Sequence, residues 1–379
     1  MNGEHDPSQM SLTFSGEFAD FCRESGADAY IVTPFGKKQI FRDAKFVIEN
    51  RPKPQWQSRG GIWYHLAQIR YGIGLFITAL RYRAQVAFLH SGSTHYFVMS
   101  LFRLGGMQVI PVMHNTLWPS GYPPSGAKRI LALLNGSFFR LAATSVIAVS
   151  PECVRQVDQI TGGKHCPLYE MKIQFRREYF AKIPAAPPHD QQPFRIMFAG
   201  RIHENKGVFD VLRIANAVQD RAPGRVAWEI CGTGPDLDEL RKRQRAMNLE
   251  TIVTIHGWTP PNEMQHVIAR SHLSIVPTRS DFAEGMAMTV IEPILAGRPV
   301  ITNPVVPALE VLKPACIEAR TNDVESYVLA VLNVLREGNH YRELCNSCPA
   351  LAEQFYDRHL GFRAVLHRAT DHGVRRTYA

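Results

Sequence analysis

Apolar and polar positions alternate along this chain in two recurring patterns. Short apolar runs such as residues 85–90 (QVAFLH) and 108–114 (QVIPVMH) are typical of buried strands, and longer amphipathic stretches such as 62–83 predict helices. Buried strands that alternate with helices at short spacing form parallel sheets covered on both faces. The pattern therefore predicts an α/β fold, in which ligands bind at the carboxyl ends of the strands.

A proline-rich stretch at residues 183–193 divides this pattern into two parts. At 379 residues the chain is also too long for one typical core. The second part opens on a buried strand at 194–199, and the last helix is predicted over 355–368. We therefore predict an N-terminal domain over residues 1–185, a C-terminal domain over 194–352 and a final helix within 355–372.

The start of the chain differs from that of an ordinary nucleotide-binding domain. Such a domain normally opens on a buried strand and a glycine-rich turn. Here the polar residues 1–15 lead directly into a predicted helix at 16–24 and a short strand at 29–33. Either the sheet lacks its first strand or the natural start lies upstream of Met1, and we expect the shortened form, with the first strand missing.

Composition narrows the class of protein. The net charge of +9 fits nucleic acid, a membrane surface or anionic substrates, but no run of five basic residues occurs, so we expect no nucleic-acid partner. Seven cysteines, an odd number, indicate reduced thiols in a cytosolic protein. We interpret Cys345 and Cys348 as surface thiols on a helix, because a lone C-x-x-C has no second pair with which to hold zinc. No segment reaches the roughly 18 apolar residues that a membrane-spanning helix needs.

Two glutamates eight positions apart, Glu284 and Glu292, enclose an apolar run. If a helix begins near Gly285, eight residues are a little over two turns, and both carboxylates lie on roughly the same side. The amides of Gly285, Met286 and Ala287 would then form a helix mouth that favours phosphate. Because carboxylates accept hydrogen bonds from hydroxyls, this combination suits a nucleotide sugar.

A second motif, Gly200-Arg201-x4-Lys206-Gly207, follows the strand at 194–199. Gly200 permits a tight turn, and Arg201 and Lys206 place two cations beside the carboxyl end of that strand. Paired cations suit a diphosphate, whose charge is spread over several oxygens.

Two histidines, His90 and His114, stand at the ends of predicted strands and therefore on the ligand-binding edge. We interpret His90 as a hydrogen-bonded residue of this edge without a chemical role. His114 is interpreted below.

Together these motifs resemble glycosyltransferase family 4, the retaining group 1 glycosyltransferases. The resemblance rests on the two glutamates, on Gly-Arg-x4-Lys-Gly, and on the Gly-x-Gly-Pro turn at 232–235. It also rests on the helix end Ala-Gly-x-Pro-Val at 296–300. It implies the GT-B fold, in which two Rossmann-like domains face each other across a cleft and the last helix crosses back to the first domain.

The resemblance also implies roles for individual residues. Arg201 and Lys206 would hold and neutralise the diphosphate, and His114 would approach the donor sugar. Glu284 would bind sugar hydroxyls and Glu292 the ribose hydroxyls. The remaining predicted substrate-binding residues lie in turns or at the helix mouth; they are Gly200, Gly257, Gly285, Met286 and Ala287.

The implied reaction moves a sugar, with retention, from a nucleotide-diphosphate-sugar donor to a hydroxyl of a saccharide or lipid-linked acceptor. No cofactor is implied beyond the donor substrate, and no metal, since the two cations replace it and no Asp-x-Asp motif lies near the site. The family commonly acts in polysaccharide or glycoconjugate synthesis, in the cytoplasm or on the inner face of the membrane. Two alternatives stay open: a sugar-nucleotide epimerase of the same fold, and a non-catalytic sugar-nucleotide-binding protein.

A peripheral membrane contact is a further hypothesis. It is motivated by the +9 charge and by Arg70, Arg81 and Arg83, which flank an apolar patch. The alternative is a soluble basic enzyme with a solvated helix.

Overall fold

The fold is that of a computed structural model, of which residues 11–34, 37–43, 45–54 and 61–377 are described, with side chains as far as Asp371. The predicted polar segment at residues 1–15 therefore lies mostly outside the described residues.

The first described helix, α1 (Phe14–Glu24), is followed by a small three-stranded sheet. Its middle strand β3 (Phe46–Asn50) runs parallel to β1 (Ala29–Thr33) and antiparallel to β2 (Gln39–Asp43). The sequence pattern did not predict β2, because all five of its residues are exposed and no apolar alternation marks it.

A four-stranded parallel sheet follows, in the order β4-β5-β6-β7. Its strands are β4 (Val86–His90), β5 (Gln108–Met113), β6 (Val146–Ala148) and β7 (Leu168–Glu170). The accompanying helices are α2 (Gly61–Arg81), α3 (Tyr96–Leu104), α4 (Gly126–Leu141), α5 (Pro151–Thr161) and α6 (Arg177–Phe180). The helix α4 was not predicted, because its apolar residues lie on both its buried and its exposed sides.

The two N-terminal sheets are not hydrogen-bonded to each other in the part of the chain that the structure describes. There β1 pairs with β3 alone, and β4 pairs with β5 alone. From Ser11 onward no strand precedes α1, and Ser11 itself makes one isolated bridge to Phe175. The missing first strand stays a prediction, because residues 1–10 lie outside the described part of the chain.

The second half of the chain forms a six-stranded parallel sheet in the order β10-β9-β8-β11-β12-β13. Its strands are β8 (Phe194–Ala199), β9 (Val226–Cys231), β10 (Val253–Gly257), β11 (Leu273–Val276), β12 (Val300–Thr302) and β13 (Cys316–Glu318). Its helices are α7 (Val208–Arg221), α8 (Leu237–Ala246), α9 (Pro261–Arg270), α10 (Met288–Leu295), α11 (Ala308–Val311), α12 (Val324–Arg336) and α13 (Gly338–Ala352).

The last helix, α14 (Phe362–Thr377), packs on the first half of the molecule, against α1 and the strands β5 to β7. The Ser145 hydroxyl donates to the Ala369 carbonyl at 3.1 Å, and Arg363 lies 3.1 Å from Glu24. The helix begins seven residues later than predicted, because two short 3-10 turns occupy residues 353–360. The division at 1–185, 194–352 and 355–372 stays a prediction.

None of the seven cysteines forms a disulfide bond, and all seven lie in the described part of the chain. The prediction of surface thiols for the C-x-x-C pair was wrong for Cys348, which is fully buried on the inner face of α13, while Cys345 is partly buried. Tertiary packing of α13 decided this, since the pair itself carries no apolar signal. The helix α2 is the longest described, at 21 residues, yet none of the described helices is long and apolar enough to span a bilayer.

Arg298 secures the junction between the two halves. Its side chain is completely buried, and its guanidinium donates to the linker carbonyls of Pro184 and Ala185. It also donates to the carbonyls of Ile268 and Ala269 in the last turn of α9. Carbonyls at a helix end carry partial negative charge, so they stabilise a cation in the absence of a carboxylate. Burial lowers the pKa of Arg298 to about 10, which leaves it charged at neutral pH.

We expect Arg298→Ala to lower the free energy of unfolding by about 3 kcal/mol or more, because several buried carbonyls would lose their donor at once. Chemical denaturation of the full chain measures this loss. The matched control is Arg245→Ala, an exposed arginine on α8, which should leave the midpoint unchanged. An equal effect of both substitutions would show that Arg298 does not secure the linker.

Candidate functional site

The loop that carries Lys206 is shaped by the residue after it. A single 3-10 turn, Glu204–Lys206, ends at Gly207, which has φ +73°. A Cβ on Gly207 would lie 2.0 Å from the Pro277 carbonyl oxygen. The loop therefore approaches the end of β11 more closely than any side chain would allow, and this approach directs Lys206 toward the residues that follow β11.

Lys206 meets Glu284 across 78 residues of chain. Its ammonium forms an ion pair with the Glu284 carboxylate and lies 3.9 Å from the centroid of the Phe282 ring. Glu284 is 9% exposed, so the pair is shielded but remains open on one side. One predicted cation and one predicted carboxylate are thus in direct contact.

Two residues that the sequence analysis missed hold these loops together. Asp210, in the first turn of α7, accepts a hydrogen bond at 2.8 Å from Arg279, which follows β11. The Arg279 amide donates in turn to the Asn205 carbonyl at 3.0 Å. The only signal in the sequence was the position of Asp210 four residues after Lys206, which is too weak to single it out.

The predicted start of the helix that contains Glu292 was wrong. The helix α10 begins at Met288 rather than near Gly285, and Gly285 is extended, forming an antiparallel bridge with Asn115 of the other domain. Glu284 therefore lies in a loop before the helix, and the first-turn amides are those of Met288 and Thr289 rather than of Gly285 and Met286. The helix has only eight residues and contains Pro293, which cannot continue the hydrogen-bond ladder.

Gly285 is a point of very close approach between the two halves of the molecule. A Cβ at this position would lie 1.7 Å from the His114 carbonyl oxygen and 3.0 Å from the Asn115 Cα. Only glycine fits here, so the chain segment carrying Glu284 lies directly against the residues that follow β5. This contact places the His114 backbone next to the segment that carries Glu284.

The side chain of His114 is held from two directions. Its Nε2 lies 2.5 Å from His90 Nδ1, and its ring centroid lies 4.5 Å from that of Phe14 in α1. Burial, together with the neighbouring His90, lowers the pKa of His114 to about 3, and burial lowers that of His90 to about 4. Both imidazoles are neutral at pH 7, so one ring donates its N–H to the other.

Gly200 and Arg201 lie beside the start of α10. The Gly200 amide donates to the Cys231 carbonyl at 3.0 Å, and a Cβ on Gly200 would lie 3.5 Å from the Thr289 side chain. Arg201 is exposed and makes no ion pair with any residue that the structure describes. Its guanidinium is therefore available to an anionic ligand near the first turn of α10.

Glu292 lies one helical turn beyond Thr289, on the same side of α10. Its carboxylate makes no hydrogen bond or ion pair within the described part of the chain, and burial raises its pKa to about 7. Its charge adds to the burial that raises the pKa of the Tyr179 hydroxyl, which donates to the Pro261 carbonyl at 2.5 Å. A half-buried carboxylate without a donor is suited to binding hydroxyl groups.

Gly257 lies farther from this group. It ends β10 with φ +76°, and its carbonyl accepts from the Gly232 amide at 2.7 Å. Because β9 lies between β10 and β8, Gly257 is about 10 Å from the Gly200 strand end. Met286 and Ala287 are buried between the Glu284 loop and α10, where their side chains serve packing.

The segments that carry Arg201, Lys206, Glu284 and His114 thus lie close together. Glu292 lies deeper along α10, and Gly257 lies at the outer side of this group. Among the described residues, no group of three or more His, Cys, Asp or Glu side chains is placed to hold a metal ion.

Comparison with known proteins gives the same assignment for the second half of the chain. Residues 180–348 match the family model described as glycosyl transferases group 1. This part of the chain is a group 1 glycosyltransferase domain. It contains both cations and both glutamates of the site, whereas His114 lies outside it.

One curated relative is the 2-deoxystreptamine N-acetyl-D-glucosaminyltransferase of Niallia circulans, which is 27% identical over 108 residues. That alignment covers 28% of this chain and 27% of the relative. A TarM mutant of S. aureus, solved with fondaparinux, alpha-GlcNAc-glycerol and UDP, has 16% identity and a TM-score of 0.53, and covers 71% of this chain and 51% of its own. The chain thus spans about half or less of the length of these two proteins.

The whole fold matches smaller glycosyltransferases more completely. The trehalose 6-phosphate synthase of Burkholderia multivorans has a TM-score of 0.68 at 12% identity, over 97% of this chain and 95% of its own. At this identity the likeness shows the fold alone, and it confirms the predicted GT-B fold of two facing α/β domains.

We expect Gly285→Ala to separate the two segments that meet at His114. The added methyl group has no room against the His114 carbonyl, so the Asn115–Gly285 bridge should open. Hydrogen–deuterium exchange of residues 111–118 and 283–290 should rise about tenfold, the effect of losing roughly one backbone hydrogen bond.

The matched control is Gly74→Ala, where a Cβ would meet only Arg51 Nη1 at 3.8 Å. Unchanged exchange in Gly285→Ala would contradict the contact.

Proposed function

We propose that this chain is a retaining glycosyltransferase that moves a sugar from a nucleotide-diphosphate-sugar donor to a hydroxyl group of an acceptor. The observation that carries the proposal is the contact of Lys206 with Glu284 beside His114, within and next to a group 1 domain. A cation for phosphate and a carboxylate for hydroxyls stand a few ångströms apart, which is what binding of a sugar phosphate ester needs.

In this proposal the diphosphate lies between Arg201 and Lys206, at the first turn of α10. Lys206 has three N–H donors, so it can contact a phosphate oxygen while it keeps Glu284. The two cations, with the partial positive charge of the helix end, stabilise the negative charge that develops as the diphosphate leaves. They take the place of a divalent metal, so the proposed reaction is metal-independent.

In this proposal the sugar hydroxyls are bound by Glu284, and the neutral His114 is proposed to approach the donor sugar. The bond from the anomeric carbon to the phosphate oxygen breaks, and the acceptor oxygen bonds to that carbon on the same face. The acceptor proton passes to the departing phosphate oxygen, so the configuration is retained and no covalent intermediate with the protein forms.

The names of the relatives direct the choice of donor. The Niallia circulans relative is named for N-acetylglucosamine transfer, and the TarM structure contains UDP and a GlcNAc-glycerol. We therefore propose UDP-sugars as the donor class, with UDP-N-acetylglucosamine as the first to test. The acceptor is proposed to be a saccharide or lipid-linked saccharide, in glycoconjugate or polysaccharide synthesis in the cytoplasm or at the inner face of the membrane.

We expect acceptor-dependent release of nucleoside diphosphate, and a fall in kcat/KM of about a hundredfold or more in Arg201→Ala, Lys206→Ala and Glu284→Gln. Each change removes a charge that contacts the donor in the proposed complex. A coupled assay for the nucleoside diphosphate, with a panel of donors first ranked by thermal stabilisation, measures this.

Lys242→Ala, an exposed lysine on α8, is the control that should leave turnover unchanged. Because Arg201 is exposed and has no ion-pair partner among the described residues, its substitution tests the site without disturbing the fold. Wild-type activity in Arg201→Ala and Glu284→Gln would overturn the assignment, and epimerised donor in the absence of acceptor would favour a sugar-nucleotide epimerase.

Donor affinity should depend on pH through Glu292. Its pKa in the free protein is about 7, whereas ribose hydroxyls donate hydrogen bonds to the ionised form and lower that pKa on binding. Affinity should therefore be highest above pH 7 and fall by up to about tenfold per pH unit below it. Calorimetric titration of UDP between pH 8 and pH 5.5 measures the dependence.

Glu292→Gln should remove this pH dependence, and so should the 2′,3′-dideoxy form of the nucleotide with the wild-type protein. A dependence that persisted in both cases would assign the titration to another group.

A further inference from the structure

We propose that the outer side of the helices α2, α3 and α4 is a docking surface for an anionic phospholipid bilayer. This surface goes beyond the donor site, whose cations and carboxylates belong to the second half of the chain. It is defined here as the exposed side chains of residues 61–83, 103–104 and 128–141.

The first observation is a segment without acidic residues. Residues 50–151 contain ten Lys and Arg and no Asp or Glu. The rest of the chain, with 33 Lys and Arg against 34 Asp and Glu, is close to neutral, so this segment accounts for the whole net charge of +9. The excess is not visible as a basic run, because the cations are separated by apolar residues.

The cations of this segment point outward. Seven of them are exposed, and none forms an ion pair with any residue in the described part of the chain. Four stand at helix ends, namely Arg81, Arg103, Lys128 and Arg140. Since these charges have no counter-charge within the described residues, they attract anions from outside.

The helix α2 has an apolar stripe on its exposed side. Its large exposed apolar side chains recur at helical spacing and lie between 40% and 69% exposed. They are Ile62, Trp63, Leu66, Ile73, Ile77 and Leu80. Arg70 lies within this stripe, so apolar and positively charged groups face the same direction.

The helices α3 and α4 extend the surface. Leu104 at the end of α3 is 83% exposed and Leu141 at the end of α4 is 81% exposed. Ile130, Leu133 and Leu134 are between 49% and 63% exposed. With the six of α2, these helices hold eleven of the sixteen large apolar side chains that are exposed among the described residues.

The three helices are packed as one layer. A Cβ on Gly72 of α2 would lie 2.8 Å from the Val98 side chain of α3, so the α2 backbone packs directly against α3. Tyr96 of α3 contacts Phe139 of α4 with ring centroids 4.9 Å apart. The exposed sides of the three helices therefore belong to one rigid flank of the N-terminal domain.

A basic cavity lies at one end of this flank. It has a volume of about 610 Å³ and is lined by Arg103, Arg140 and Lys164. The buried Gln108 Oε1 at this cavity has no hydrogen-bond donor among the described residues. Phosphate groups of lipid headgroups would neutralise the three cations, while Leu104 and Leu141 beside the cavity would reach the acyl chains.

An anionic bilayer explains why the surface is both positively charged and apolar. A second copy of the chain would bring the same cations into contact, which like-charge repulsion opposes. Nucleic acid would match the charge but would leave the isoleucine and leucine stripes in water. An anionic bilayer offers negative headgroups and an apolar interior within a few ångströms of each other.

The test is co-sedimentation of the full chain with vesicles, without donor or acceptor, so it is independent of the proposed transfer activity. Vesicles of phosphatidylcholine alone are compared with vesicles containing about 30% phosphatidylglycerol, at low and at high salt. We expect the protein to pellet with the anionic vesicles, less at high salt, and to stay in solution with the neutral ones.

Two variants on α2, each with a matched control on another helix, locate the contact. Ile73→Glu/Ile77→Glu should lower partition into anionic vesicles at least tenfold, and Arg70→Gln about fivefold. The matched controls, Leu329→Glu on α12 and Lys242→Gln on α8, should bind as the wild type does. All five positions are exposed, so unchanged thermal midpoints verify folding.

Three results would overturn the proposal. One is no pelleting with anionic vesicles. Another is equal loss in the controls and in the α2 variants. The third is salt-sensitive retention on duplex DNA, or a dimer abolished by the α2 variants, without vesicle binding.

Discussion

The contact of Gly285 with the His114 carbonyl is the constraint on which the rest of the site depends. It allows two loops from different sheets to approach closer than any side chain permits, and this sets the relation between the domains at that point. Because Glu284 precedes Gly285, the same contact carries the Lys206–Glu284 pair to His114. The electrostatics of the site therefore follow from a steric condition at one glycine.

Contacts elsewhere maintain this arrangement. Arg298 ties the linker to the end of α9 through buried carbonyls, and α14 returns to the first domain. Arg155 and Glu310 form a bidentate ion pair between α5 and α11. This pair is exposed and contributes little by itself. The buried cation and the returning helix carry most of the stability of the junction, while the surface ion pair adds to its orientation.

The charged groups are arranged differently at the donor site and on the α2–α3–α4 flank. At the donor site Lys206 is paired with Glu284, which permits phosphate and hydroxyl groups to be bound side by side. On the α2–α3–α4 flank the cations have no such partners in the described residues, and apolar groups fill the space between them. A site whose cation is paired with a carboxylate selects one ligand. A surface whose cations have no carboxylate partner attracts an extended anionic ligand.

The candidate site shows which features the sequence could predict and which it could not. The strand β8, the loop after it and the pair Glu284–Glu292 were recognisable because local spacing and residue type mark them without any partner. Their convergence was an expectation from resemblance. The start of α10 was predicted three residues too early, since Gly285 is drawn into a bridge with Asn115 that no local pattern signals.

The sequence by itself determined the alternation of strands and helices, and hence the α/β class, because burial periodicity is a local property of the chain. The tertiary structure alone decided that Asp210 holds Arg279, that Cys348 is buried, and that the seven exposed cations of residues 61–140 share one flank. Each of these depends on groups far apart in the chain, whose distances are set only when the helices and sheets have packed.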